Sequence, residues 1–342
     1  MSEPITTQDV KNILIGFRGQ TITLEKLRSE LQIYRGDKSF DTVRNIVFQL
    51  AEQHVLTYIS RGNYKVIQPV ERVNVYGLKR ERRPMYPLVF PRDFETGEEM
   101  DFAQYIGVRE GDLIVIGGVK SKGKTALMMN FCAENIDKSP VLLGNEYTVI
   151  GEDGKPEPSP RWLSRMDFMS QHIDWTDENG DDRFELLPVA KDYVEHIKKN
   201  RMNLIDWINL DGGKLYDIGT LLEALKAGIG RGILISALQK SAYSDNARGG
   251  QFVKDFADVL LLLDGFGENP DDVMLTVEEV KEKTAPIMGR KYAYRIEGSG
   301  TQIVNFRELK KCPTCNGTKN IKGSPCYVCD GTGWVNKGDM EF

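Results

Sequence analysis

The apolar positions of this chain change period twice. Val10, Ile13, Leu14 and Phe17 recur at helical spacing, and Gly19 ends the run. Leu24, Leu27 and Leu31 predict a second short helix with Thr23 as its cap. A third begins near Ser39-Phe40-Asp41 and turns Val43, Ile46, Val47 and Leu50 to one side. The period then falls to two: Val55 to Ile59, a Gly62-Asn63 turn and Tyr64 to Ile67 predict a β-hairpin. Residues 70–100 keep neither period. Pro69, Pro84, Pro87, Pro91 and the cluster Lys79-Arg80-Glu81-Arg82-Arg83 predict a connector there. From 101 to 308, apolar runs such as Leu113 to Ile116, Val141 to Gly144, Asn203 to Ile208 and Ile233 to Gln239 alternate with helical patterns. That alternation predicts an α/β core with a mostly parallel sheet. Residues 309–342 form a separate tail.

At 342 residues, 40% hydrophobic and 28% charged, the chain has room for a large core and one or two small modules. No apolar stretch approaches membrane-spanning length, and Met1-Ser2-Glu3 is no signal peptide. The expectation is a cytoplasmic protein with no membrane contact, whose five cysteines stay thiols or bind metal. The net charge of −5 is uneven. Residues 1–92 hold 15 Lys and Arg against 9 Asp and Glu, which leaves −11 on the remainder. A basic front on an acidic body points to an anionic partner for the front, although such residues also simply solvate surfaces.

Residues 118–125 read Gly-Val-Lys-Ser-Lys-Gly-Lys-Thr, a complete G-x-x-x-x-G-K-[ST] loop between an apolar strand and a helical stretch, Thr125 to Ala133. Gly118 and Gly123 let the backbone curl so that the N–H groups of Val119, Lys120, Ser121, Lys122 and the Lys124–Ala126 turn point at a phosphate chain. Lys124 reaches the outer phosphates, and Thr125 offers a hydroxyl to Mg²⁺. This order implies binding of a nucleoside triphosphate. Hydrolysis needs a further carboxylate on the metal and a base that orients water. Asp206 follows an apolar strand and fits the first role; Asp264, after Leu260 to Leu263, is its rival. Glu146 follows the strand Val141 to Gly144 and is the candidate base, the alternative being a solvated strand end.

The stretch 106–306 resembles the RecA/DnaB superfamily of hexameric helicases, recombinases and related ATPases. That resemblance implies an α/β, RecA-like P-loop NTPase core using ATP and Mg²⁺. It gives Glu146 and Asp206 the places of the family's glutamate and Walker B aspartate, and makes Gln239, at the end of Ile233 to Gln239, a sensor of the γ-phosphate. Gly249-Gly250-Gln251-Phe252-Val253-Lys254 and Ala257-Asp258-Val259 are similar to further family patterns. Lys281 and Lys283 match the Lys-x-Lys segment whose cations reach a neighbouring subunit's nucleotide; an exposed strand of alternating charge would read the same. The resemblance implies a homo-oligomer, a hexameric ring or a filament, with replication proteins as partners. Two loops would carry single-stranded DNA: Asp211 to Asp217, with Lys214 and Tyr216, and Lys240 to Arg248, with Tyr243. No segment of these 342 residues is expected to correspond to the helical collar, primase or C-terminal DNA-gathering domains of family members.

Residues 1–69 resemble a winged helix-turn-helix. On that likeness the third helix exposes Asp41, Arg44, Asn45 and Gln49 to duplex DNA, and Lys38, Arg61 and Lys65 touch phosphates. Protein docking is the other use of such a unit. At the opposite end, Cys312, Cys315, Cys326 and Cys329 form C-x₂-C-x₁₀-C-x₂-C, which suits a structural Zn²⁺ with no open position; disulfides or a redox pair are the alternative. The tail resembles the C-x-x-C-x-G-x-G zinc modules of DnaJ-type chaperones, with Lys319 in place of a glycine. Cys132 reads as a core residue of the helix after the phosphate loop. The expected whole is an ATP-hydrolysing DNA motor of helicase or recombinase type. The alternatives are an ATP-switched regulator or loader that does not translocate, and a KaiC-like signalling ATPase.

Overall fold

Side-chain caps start the front helices where the periodicity places them. In the structure, a computed structural model that describes residues 5–69, 84–144, 146–208, 217–241, 247 and 249–338, Thr6 and Asp9 close a reciprocal capping box on α1 (Thr7–Ile15). Thr23 accepts from Lys26 N to begin α2 (Leu24–Glu30). A strand absent from the sequence reading, β1 (Thr21–Thr23), precedes α2. After α3 (Phe40–Glu52) come β2 (Leu56–Ser60) and β3 (Asn63–Val66), and the antiparallel sheet has the order β1-β3-β2. Val10, Leu14, Leu27, Val43, Val47 and Leu50 fill the space between. Each such side chain contributes about 1.5–3 kcal/mol of burial. The chain divides into two compact units, Met1–Arg80 and Glu81–Phe342.

The second unit is built on ten strands. In chain order its elements are β4 (Leu113–Gly118), α4 (Lys124–Glu134), β5 (Val141–Leu143), β6 (Thr148–Ile150), β7 (Pro156–Pro158), α5 (Pro160–Met169), β8 (Glu185–Leu187), α6 (Tyr193–His196), β9 (Met202–Ile205) and α7 (Ile218–Gly228). There follow β10 (Ile233–Gln239), α8 (Gln251–Phe256), β11 (Val259–Gly265), β12 (Asp272–Val280), β13 (Lys291–Glu297), β14 (Gln302–Lys311), β15 (Asn320–Ile321), β16 (Ser324–Pro325) and β17 (Trp334–Asn336). The main sheet has the order β17-β14-β13-β12-β11-β4-β10-β9-β5-β8. From β11 to β8 every pairing is parallel; β12, β13, β14 and β17 extend the sheet antiparallel. The class is therefore α/β with a mostly parallel sheet.

Both faces of the sheet are covered, which is why its strands read as continuous apolar runs. Ile114 and Ile116 of β4 join Leu127, Phe131, Trp162 and Tyr292 on one side. Leu113 and Val115 join Leu222, Leu225 and Val253 on the other. Cys132 is fully buried among the first set. Residues 84–100, expected as connector, lie on this body: Phe90 and Met100 are buried, and Asp93 accepts from Phe306 N at 2.7 Å. The cluster 79–83 lies outside the described residues. The segment after Glu146 holds the β6–β7 hairpin and α5, capped by Ser159. No described helix is long and apolar enough to cross a membrane.

Candidate nucleotide and metal sites

β4 lies between β10 and β11, so the chain leaving its carboxyl end has a crevice on either side. Val119 N donates to Leu263 O at 3.2 Å, and Lys240 N donates to Gly118 O at 2.9 Å, tying the start of the loop to both neighbours. Ser121 and Gly123 have φ of 61° and 78°, the left-handed turns that close the curl into α4. At Gly123 the φ favours glycine, and a Cβ there would stand 2.4 Å from Ile296 Cδ1 of β13, so that side-chain tip would have to move. Lys124 folds back, its ammonium donating to Gly118 O at 3.0 Å and Val119 O at 2.9 Å. Burial lowers its pKa, while the nearby Asp206 and Glu146 carboxylates oppose that shift.

Asp206 and Glu146 arrive from neighbouring strands, β9 and β5. Asp206 is buried; Tyr147 Oη donates to its Oδ2, and its Oδ1 has no protein partner. Burial raises its pKa, with the Tyr147 hydrogen bond and the nearby Thr125 hydroxyl acting the other way. An orphaned carboxylate oxygen beside the Thr125 hydroxyl is the donor set that a hard, oxygen-seeking cation such as Mg²⁺ requires. Asp264 stands elsewhere, pairing with Lys240 on the other side of β4. Glu146 is exposed and accepts from Trp207 Nε1 at 3.3 Å. Gln239 stands level with Gly118 in the β10–β4 register. Neither Tyr147 nor Trp207 was singled out in the sequence; an aromatic beside each candidate carboxylate was the available signal.

Lys281 and Lys283 lie at the far end of the sheet. Val280 is level with Val259, and Val259 with Ile114, four residues before Gly118, or about 13 Å along the strand. Lys281 pairs with Asp258 at 3.4 Å, and Lys283 donates to Val280 O at 3.2 Å. Neither ammonium reaches the phosphate loop of its own chain.

The nucleic-acid candidates divide in three. Lys38, Arg44, Asn45, Arg61 and Lys65 are exposed, and Arg44 and Arg61 line one groove of the front unit with Tyr58 and Tyr64. Lys240, expected in a DNA loop, is instead buried against Asp264, its charge consumed within the fold. Lys214, Tyr216, Tyr243 and Arg248 lie outside the described residues.

The four cysteines converge. All four sulfurs lie within 4.8 Å of one another, and the Cys312–Cys326 and Cys315–Cys329 pairs are 3.8 and 3.7 Å apart. A tetrahedral thiolate site with metal–sulfur bonds of about 2.3 Å has sulfur–sulfur edges of about 3.8 Å, so the cluster fits Zn²⁺. These spacings are far longer than disulfide bonds, and all four thiols are free. The two halves mirror each other: Thr318 and Thr332 hydroxyls donate to Cys315 O and Cys329 O, each at 2.6 Å. Lys319 has φ of 69° where the second half has Gly333 at 82°, so the departure from glycine leaves the turn intact. Around Cys312, burial pushes the thiol up, but backbone N–H groups of Cys315 and Thr314 bring it down to about 7. β14 runs directly into Cys312, and β17 returns to pair with it.

No family model and no curated protein matches the chain. Among solved structures it is similar to a RadB recombinase, at 15% identity over 57% of this chain and 91% of that one, with a TM-score of 0.41. It is also similar to the KaiC-like protein PH0186 from Pyrococcus horikoshii OT3, at 17% identity over 65% of this chain and 99% of that one, with a TM-score of 0.44.

Proposed function

We propose that this chain is a RecA-like ATP hydrolase that binds DNA and assembles as a ring or filament in the cytoplasm. One observation carries the reading: Lys124, Thr125, Asp206, Glu146 and Gln239 come from four different elements and meet at the carboxyl ends of β4, β5, β9 and β10. In this reading Val119 to Ala126 cradle the phosphates, Lys124 moves from the loop carbonyls to the outer phosphates, and Thr125 and Asp206 hold the metal. Mg²⁺ bound there neutralises charge on the phosphates. Glu146, steered by Trp207, orients and deprotonates water, and Gln239 passes the phosphate state to residues 240–248. Lys281 and Lys283 serve a neighbouring subunit, an assignment that their position at the opposite end of the sheet supports.

The proposed organisation is a winged helix in residues 1–69, a connector in 70–100 whose part from residue 84 packs on the core, the ATPase core in 101–308 and a zinc module in 309–342. Unwinding and strand exchange are variants of this reading. A second reading, an ATP-switched regulator or loader, is favoured by the front unit, where α3 exposes Arg44, Asn45 and Gln49 and Arg44 lines a groove with Arg61.

ATP hydrolysis by the purified protein alone, with single-stranded DNA and with duplex, tests both readings beside the Glu146→Gln variant. Stimulation by single strands, abolished in the variant, is expected. Hydrolysis that responds only to duplex supports the regulator, and normal hydrolysis by the variant removes Glu146 as the base.

A further inference from the structure

Beyond the phosphate loop, the zinc module closes one wall of a second open site. A groove of about 700 Å³ separates Tyr327, Val328 and Trp334 from the loop that follows β11, with Phe266 on the facing wall. A smaller hollow continues it past Trp334 to Lys319. Arg307 stands in the larger part, its guanidinium fixed by Asn336 at 2.7 Å and Asn305 O at 2.8 Å. Tyr327 is 79% exposed, an unusual place for a ring with nothing to cover it.

The segment that carries the module is basic. Residues 309–338 hold five lysines and one acid, Asp330, so the segment stays positive even when a four-thiolate zinc site contributes a formal −2. Lys310, Lys311, Lys319 and Lys322 are all exposed, on a chain whose net charge is −5. Glu268 and Asp330 also line the groove, where carboxylates can accept from exocyclic amino groups. Flat rings between cations are what successive bases and phosphates of an unpaired strand require. An unfolded polypeptide would need a broader apolar surface: in 309–338 only Tyr327 and Val328 are large exposed hydrophobics among the described residues.

We propose that this groove binds single-stranded nucleic acid, with bases stacking on Tyr327 and Trp334 and phosphates held by Arg307, Lys319 and the other exposed lysines of the same segment. The site is independent of the phosphate loop and does not rest on ATP hydrolysis.

The test uses the full, zinc-loaded chain and a fluorescent oligodeoxycytidylate of about 20 nucleotides, whose N4 amino groups the groove carboxylates can accept from. Tyr327→Ala weakens binding by about five-fold or more, Tyr327→Phe retains it, and Lys311→Ala with Lys322→Ala flattens the salt dependence. Zinc content and DNA-free ATP hydrolysis stay at wild-type levels in each variant, which separates loss of this site from misfolding and from failure of the ATPase reading. A strand carrying 5-bromodeoxyuridine crosslinks to peptides between residues 307 and 334 in the wild-type protein. Absence of crosslinks there overturns the proposal, as does a Tyr327→Ala variant that binds the strand normally while losing affinity for a denatured, carboxymethylated polypeptide.

Discussion

Lys240 crosses over the carboxyl end of β4 to pair with Asp264, joining the two strands that flank the phosphate loop. Its side chain is 5% exposed, whereas that of Asp264 is 25% exposed. Removing the aspartate strands a buried cation. For Asp264→Ala we expect a loss of about 2 kcal/mol, below the 3–5 of a fully buried pair because water reaches Asp264. A lower urea midpoint at unchanged slope checks it. The double variant Lys240→Met, Asp264→Leu should recover most of the loss, since neither charge then remains buried.

Directly beneath that pair, Ala247 pairs with Lys240 in an isolated bridge and packs on Gly117. A Cβ at residue 117 would lie 2.7 Å from the Ala247 Cβ. Ala247 therefore rests on the strand that delivers the phosphate loop. Gly117→Ala should displace it at a cost of about 1–3 kcal/mol. DNA stimulation of ATP hydrolysis should fall while the DNA-free rate persists; equal loss of both rates would mean that the strand itself had moved.

The hydroxyl of Tyr147 is the second lever. It donates to Asp206 Oδ2 while the ring packs on Trp162 with centroids 4.5 Å apart. Tyr147→Phe keeps the packing and removes only the donor. A buried carboxylate that loses such support should need about ten-fold or more Mg²⁺ for half-maximal hydrolysis. A magnesium titration reads this directly, and an unchanged curve would show that Thr125 alone orients Asp206.

Much of this arrangement was legible as pattern. Continuous apolar runs gave β4, β9, β10 and β11 because those strands are buried on both faces, and the glycine–lysine–threonine spacing located the turn into α4. Short or edge elements escaped: β1 is three residues long, and β17 is a half-buried edge strand. The boundary near residue 309 followed a change in composition, yet β14 runs from Gln302 to Lys311 without a break, since hydrogen bonding to β13 continues as far as Leu309. Lys240 looked like a loop cation because sequence does not show that Asp264, 24 residues on, stands opposite it.

Lys281 and Lys283 give a test of assembly. Each is engaged at the foot of the sheet, away from the chain's own loop. Chains carrying Lys281→Ala and Lys283→Ala should hydrolyse ATP poorly, as should chains carrying Lys124→Ala. Mixed in equal amounts, the two should regain about a quarter of wild-type sites, because some interfaces then combine an intact loop with intact cations. No recovery on mixing would assign both lysines to structure within one chain.

Zinc removal bears on the sheet as well as on the tail. Cys312 follows β14 without a break, its N–H donating to Gly333 O at 2.9 Å, and β17 pairs Leu309, Lys310 and Lys311 with Asn336, Val335 and Trp334. Losing the metal separates four thiolates that have no other reason to cluster, so the edge pairing loses its closure. We expect one zinc per chain, and a Cys326→Ser variant that has lost it. In hydrogen exchange, residues 309–336 of that variant should lose protection while β4 and β10 keep theirs, because the edge opens locally and the sheet centre does not. The melting temperature should fall on chelation and return when zinc is restored. If exchange in β17 were unchanged without zinc, the strand pairing rather than the metal would be holding this end of the chain.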